Sequence, residues 1–250
     1  MRITLEVWRQ PSAQAPGDFV TYVVDDATPE MSMPELLDRL NDQIVEAGGE
    51  PVAFESDCRE GICGCCGITV DDRPHGPVAN TPTCQQHLRN FSDGDVVRLE
   101  PFRSAAFPVV KDLVVDRSAL DRVVRGGGFV SVDTGTAPDA EDRQITFRRA
   151  EKALDFAACI GCGACVAACP NGAAHLFSGA LLTHFSTLPQ GRPERSRRAR
   201  GVVKAVEAEF GPCSTYGECV EVCPAGIPLA AVAAVNKEMM RAAWRRGSDD

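Results

Sequence analysis

Two cysteine runs in the C-terminal half of the chain superpose at one constant offset: Cys159, Cys162, Cys165 and Cys169 fall on Cys213, Tyr216, Cys219 and Cys223. Each run closes on Cys-Pro, at Cys169-Pro170 and Cys223-Pro224. The spacing C-x2-C-x2-C-x3-C-P, used twice, belongs to chains that hold two iron-sulfur clusters, with the fourth cysteine of each run crossing to the other cluster. On that rule Cys159, Cys162 and Cys165 join Cys223 around a 4Fe-4S cluster. Cys213 and Cys219 join Cys169 around a site that lacks its fourth thiolate, because Tyr216 stands there. Iron carries a ligand at every corner, so the expected occupant of the second site is a 3Fe-4S cluster, which has lost that corner.

A third site lies upstream. Cys58-Arg59-Glu60-Gly61-Ile62-Cys63-Gly64-Cys65-Cys66, followed by Cys84, has the C-x4-C-x2-C spacing of plant-type 2Fe-2S ferredoxins. Ligation through Cys66 keeps the x2 interval and Cys65 would shorten it, so the assigned set is Cys58, Cys63, Cys66 and Cys84. Gly61, Gly64 and Gly67 suit a loop that must approach inorganic sulfide closely, since glycine reaches positive φ and has no Cβ. Of the twelve cysteines only Cys65 is left over, and it reads as an extra small apolar residue.

Other uses of cysteine fit less well. The opening Met1-Arg2-Ile3-Thr4 carries no basic segment followed by an apolar core, so a secretory route and a disulfide framework are not expected. Structural zinc uses tetrahedral groups built from C-x2-C pairs, and nothing in zinc chemistry asks for these runs. A net charge of -9 argues against nucleic acid, whose phosphates need a basic surface. No stretch approaches the ~20 apolar residues of a membrane span; the longest, from Leu229 to Val235, is short and follows Pro228.

Hydropathy places the sites on an α+β chain of 250 residues. Ile3, Leu5 and Val7 alternate with polar neighbours and Phe19 to Val24 is β-branched and aromatic, which predicts two strands joined around Pro11 to Gly17. Ser32 and Glu35 form a capping box ahead of Met33, Leu36, Leu37, Leu40 and Ile44, a helix that Gly48-Gly49 stops. After the cysteine loop come a strand at Ile68 to Val70, a turn-rich insertion from Asp71 to Pro82 and a closing strand at Val96 to Leu99. This order fits a β-grasp ferredoxin domain, one helix across a mixed sheet. From Ser118, expected as an N-cap, the pattern turns helical, and Gly126-Gly127-Gly128 through Pro138 reads as a loop. A boundary near residues 105–115 gives a 2Fe-2S domain over 1–110 and an all-α domain of bacterial two-cluster ferredoxin type over 111–250. Phe177, Leu181, Phe185 and Leu188 recur about one turn apart and are expected to face the core of the second domain. The basic run from Gln190-Gly191-Arg192 to Arg200 reads either as a solvated helix start or as a contact for anionic lipid or an acidic partner. His175 and His184 read either as ordinary partly buried histidines or as a ligand or proton relay.

Ser56-Asp57-Cys58-Arg59-Glu60-Gly61-Ile62-Cys63-Gly64-Cys65-Cys66 resembles the first motif of the iron-sulfur subunits of succinate dehydrogenase and fumarate reductase, with Cys65 where Ser is common. Phe107-Pro108-Val109-Val110-Lys111-Asp112-Leu113-Val114-Val115-Asp116-Arg117-Ser118 resembles the segment that joins their domains. The resemblance runs nearly end to end. It implies a flavoprotein partner with covalent FAD and the dicarboxylate site, a membrane anchor with quinone and often haem b, and a peripheral place on the cytoplasmic face of a bacterial plasma membrane. The chain would then pass electrons singly from flavin through 2Fe-2S, 4Fe-4S and 3Fe-4S sites to quinone, with no catalytic acid or base of its own. Succinate oxidation and fumarate reduction use the same wire. A free-standing electron carrier and the iron-sulfur component of a thiol-dependent fumarate reductase are the rival readings; the second usually carries a further cysteine-rich domain, for which 250 residues are expected to leave no room.

One departure from the family stands out. Many members carry a Trp shortly after the Cys-Pro of the first run, at the quinone site, whereas Pro170-Asn171-Gly172-Ala173-Ala174-His175 has none and the only tryptophans are Trp8 and Trp244. This segment and Cys213-Ser214-Thr215-Tyr216-Gly217-Glu218-Cys219 look more like the branch whose anchor is a single diheme polypeptide.

Overall fold

The computed structural model describes residues 1–129, 145–188 and 192–246. Its first half is built on strands β1 (Ile3–Arg9), β2 (Asp18–Val24), β3 (Ile68–Val70), β4 (Arg73–Pro74) and β5 (Val96–Pro101), with helix α1 (Met33–Glu46) between β2 and β3. The sheet order is β2-β1-β5-β3-β4. β1 runs parallel to β5, placing Leu5 opposite Val97, and the other neighbours are antiparallel. Ile3, Leu5 and Val7 are fully buried because a period of two puts them on one face, and α1 covers that face with Met33, Leu36, Leu37 and Leu40. Burying each such side chain contributes about 1.5–3 kcal/mol. The expected capping box is present: Ser32 N donates to Glu35 Oε2 at 2.6 Å. The turn-rich insertion contains β4, and 3-10 turns at Thr83–Gln85 and Leu88–Asn90 follow it.

A hairpin of β6 (Val109–Lys111) and β7 (Val114–Val115) leads out of this half. Asp112 sits at its turn with φ +47°. Its buried carboxylate accepts Gln10 N at 2.8 Å and Ala53 N at 2.9 Å and pairs with Arg9 Nε at 3.2 Å. The hairpin is therefore pinned both to the end of β1 and to the chain entering the first cysteine loop.

The second half consists of α2 (Ser118–Gly127), α3 (Phe147–Ala157), α4 (Ala164–Ala167), α5 (His175–Thr187), α6 (Arg192–Glu209), α7 (Glu218–Glu221) and α8 (Ala230–Arg246). Two sequence expectations shift here. Ser118 is the first helical residue rather than the N-cap, since Asp116 Oδ1 accepts its amide at 2.8 Å. Gly126 and Gly127 belong to α2 instead of the loop, where they pack closely on α6: a Cβ on Gly201 would lie 1.9 Å from Gly126 O, and one on Gly127 would lie 3.1 Å from Arg198 O. The rest of that expected loop, from residue 130, lies outside the described residues.

α5 packs against α3, α6 and α8. Phe177 is buried and Leu181, Phe185 and Leu188 are partly buried, but Leu176, Ser178, Ala180, Leu182 and Thr183 are buried too, so the helix is covered around most of its circumference. Its contact with α8 depends on Gly179, where a Cβ would lie 2.0 Å from Ala231 O. Part of the basic run turns inward, while Arg197 and Arg200 are exposed. Arg195 makes a two-pronged pair with Glu238 of α8, both bonds 2.6 Å, and the buried Arg198 pairs with Glu194 at 2.6 Å. Gln190 and Gly191 lie outside the described residues. Among the described residues no helix is long and apolar enough to cross a membrane.

Candidate iron-sulfur centres

The first cysteine loop, between α1 and β3, has little regular structure, and its backbone turns inward toward sulfur. Glu60 N lies 3.3 Å from Cys58 Sγ and Cys65 N lies 3.4 Å from Cys63 Sγ. Gly61 (φ +79°) and Gly64 (φ +73°) supply the left-handed turns that aim these amides. Gly67 serves packing instead, because a Cβ there would lie 2.6 Å from the Phe102 ring. Amides from Glu60 and Ile62 bring the Cys58 thiol down to about 7. The Cys66 thiol donates to Cys84, which holds Cys84 down at about 6 and, together with burial, pushes Cys66 up. The donor set thus consists of two close thiol groupings, Cys58 with Cys63 and Cys66 with Cys84. Thiolate character and amide donors to sulfur are what a 2Fe-2S centre needs.

Cys65 is partly buried, but it lies against Cys63 rather than in an apolar core. Its ligand atom and those of Asp57 and Cys63 fall within 4.8 Å of one another, and burial pushes its thiol up. Beside Thr83, next to Cys84 in the chain, lies a residue that no motif singles out. His75 is buried, accepts Thr83 N at 3.2 Å and lies 2.9 Å from Thr83 Oγ1. Burial, helped by the Arg117 charge, lowers its pKa to about 3 and keeps it neutral.

In the second half the two runs adopt the same local shape. Gly163 and Gly217, at equivalent places in the repeat, both take left-handed φ (+88° and +95°) and open the short helices α4 and α7. Cys159, Cys162, Cys165 and Cys223 line one cavity, with Leu176, Phe177 and Ile227. Cys169, Cys213 and Cys219 line another, with Tyr216 and His175. Each fourth cysteine therefore lies at the cavity of the opposite run. Ile227 N approaches Cys223 Sγ at 3.4 Å. Burial pushes Cys162 up to about 12 and also raises Cys165, Cys159 and Cys219. Thiols this reluctant to ionise alone lose their protons to a metal, which replaces the missing countercharge. Four thiols around an apolar cavity suit a four-iron cluster; three thiols suit one iron fewer. Tyr216 reaches the second cavity but is 64% exposed.

The two histidines part company. His184 stacks on Phe185 and lines neither cysteine cavity. His175 lines the second and also a larger cavity of about 770 Å³ with Glu207, Phe210 and Asn236, and its Nδ1 finds no hydrogen-bond partner among the described residues.

Residues 4–122 match the family model of the 2Fe-2S iron-sulfur cluster binding domain, and residues 158–227 match that of the 4Fe-4S dicluster domain. The chain is 30% identical over 240 residues to the fumarate reductase iron-sulfur subunit of Mycobacterium tuberculosis, covering 92% of this chain and 89% of the relative. It is 29% identical over 208 residues to the succinate dehydrogenase iron-sulfur subunit of Bacillus subtilis, covering 80% and 77%. A chain of the Mycobacterium smegmatis Sdh1 complex in the apo form shares the fold with a TM-score of 0.68 at 23% identity, covering 98% of this chain and 96% of that one. The cysteine geometry and these relatives agree: the chain belongs to the family of iron-sulfur subunits of succinate dehydrogenase and fumarate reductase.

Proposed function

We propose that this chain is the electron-transfer subunit of a membrane-bound succinate dehydrogenase, on the cytoplasmic face of a bacterial plasma membrane. Cys58, Cys63, Cys66 and Cys84 hold a 2Fe-2S cluster in a domain over residues 1–110. In the domain over 111–250, Cys159, Cys162, Cys165 and Cys223 hold a 4Fe-4S cluster, and Cys169, Cys213 and Cys219 hold a 3Fe-4S cluster. The observation that carries this reading is the crossed arrangement of the two cavities, one with four thiols and the other with three and Tyr216. Bound clusters supply one-electron redox chemistry. The protein's own part is to fix the thiols, donate amides to sulfur and exclude water with residues such as Phe177 and Leu176. Electrons enter from a flavoprotein with covalent FAD and leave to quinone in an anchor, with or without haem b. Operation toward fumarate is the second reading, favoured by the Mycobacterium tuberculosis relative, which is named a fumarate reductase subunit.

Purification of the native complex tests the proposal. A covalent-flavin protein and an integral membrane subunit should accompany the chain, with about nine irons per chain from two-, four- and three-iron sites. Mild oxidation should produce the sharp paramagnetic signal of an oxidised three-iron centre. Iron near ten without that signal overturns the three-iron assignment, and a chain isolated with neither companion overturns the subunit reading.

A further inference from the structure

Arg117 stands where the first cysteine loop meets the first cysteine run. Its Nη1 donates to the carbonyl of Gly64, between Cys63 and Cys65, and to the carbonyl of Cys162 at 3.1 Å. Nη2 donates to Glu55 Oε2 at 3.0 Å. The two loops touch directly at this point, since a Cβ on Gly64 would lie 2.3 Å from Ile160 O and 3.1 Å from Cys162 N. The Arg117 side chain is 19% exposed and that of Glu55 is 45% exposed, so water screens the carboxylate more than the guanidinium.

We propose that Arg117 is a positioning residue for the electron step between the first two centres: its guanidinium clamps the Gly64 and Cys162 carbonyls together and sets a positive charge between the loops that favours reduction of both clusters. In that step one electron, delivered by reduced flavin on the partner, leaves the centre held by Cys58, Cys63, Cys66 and Cys84. It enters the centre held by Cys159, Cys162, Cys165 and Cys223; the first is oxidised, the second reduced, and no bond breaks. The inference rests on the ligand sets of the proposed function.

The test is a redox titration of the purified complex followed by electron paramagnetic resonance. Arg117→Gln should make reduction of both centres about tenfold less favourable, a fall of about 59 mV for a one-electron centre, and leave the three-iron centre unmoved. Arg117→Lys keeps the charge and should recover most of the shift, which a purely structural contact would not do. Unchanged potentials in Arg117→Gln with normal iron content overturn the proposal. If that variant does not assemble, Glu55→Gln decides, because removing the compensating carboxylate should raise both potentials and unchanged or lower values overturn it. Wrong cluster types in the unaltered complex would instead refute the ligand sets on which the inference stands.

Discussion

Gly64→Ala tests how closely the two halves must approach. At φ +73° an L residue is strained by about 1–2 kcal/mol. The new Cβ would also lie 2.3 Å from Ile160 O, with Cys162 N and Cα at 3.1 and 3.2 Å. Ordinary contact begins near ~3.5 Å, so the loops would have to part by about 1 Å, and overpacking of that kind costs about 1–3 kcal/mol. The sum is about 2–5 kcal/mol, and at ~2–4 °C per kcal/mol for a chain of this size the thermal midpoint should fall by about 4–20 °C. Gly94→Ala is the control: its φ is +90° and nothing lies within 4 Å of the added atom, so it carries the strain alone and should fall by about 2–8 °C. Midpoints are read on the loaded complex at one scan rate, with iron content measured beside them. A Gly64→Ala midpoint no lower than that of Gly94→Ala would refute the claim that backbone contact between the loops limits what Gly64 can be.

Tyr216→Cys should complete the second motif and replace the three-iron signal with a second four-iron centre; a potential lower by about 200 mV makes reduction over a thousandfold harder at ~59 mV per decade. Persistence of the three-iron signal at unchanged potential would mean that position 216 does not face the open corner. Cys65→Ser should keep the 2Fe-2S spectrum and Cys66→Ser should lose or reshape it, because a hydroxyl is a harder ligand than a thiolate; the reverse result would assign the loop to Cys65, which already lies against Cys63. His75, with its pKa lowered to about 3 by burial, is neutral in the fold, so below about pH 6.5 the unfolded chain gains a proton that the fold refuses. Stability is then lost as pH falls, by up to ~1.4 kcal/mol per pH unit, and His75→Asn should narrow the gap between thermal midpoints at pH 7 and pH 5.5; an unchanged gap would place the acid sensitivity elsewhere.

The parts of this molecule that could be read in the sequence are those in which neighbouring residues share one constraint. Ile3, Leu5 and Val7 alternate because one face meets α1, and Ser32 and Glu35 are spaced by the first turn they cap. The cysteine spacings survive as text because metal chemistry fixes the local loop around each thiol. What stayed hidden depends on partners far along the chain. Arg117 binds carbonyls at Gly64 and Cys162, and a carbonyl has no side-chain signature. The arginines of α6 read as a solvated face or a docking patch because Glu238 on α8, which neutralises Arg195, lies many residues later. Gly126 and Gly127 read as loop because glycine weakens a helix in isolation, a cost that their close contact with Gly201 and Arg198 of α6 offsets.

The exchange of fourth cysteines also governs how the second half comes together. On the proposed ligation, Cys165 and Cys223 grip one inorganic core, so the whole chain between them, α5 and α6 included, becomes a closed ring. Treated as a cross-link, closure of a ring of about 60 residues withdraws roughly 4 kcal/mol of freedom from the unfolded chain. The second core closes an overlapping ring through Cys169 and Cys213. Neither ring can be opened without slackening the other, so the two inorganic cores are expected to arrive and depart as a pair, and partially loaded protein should be scarce compared with empty and full.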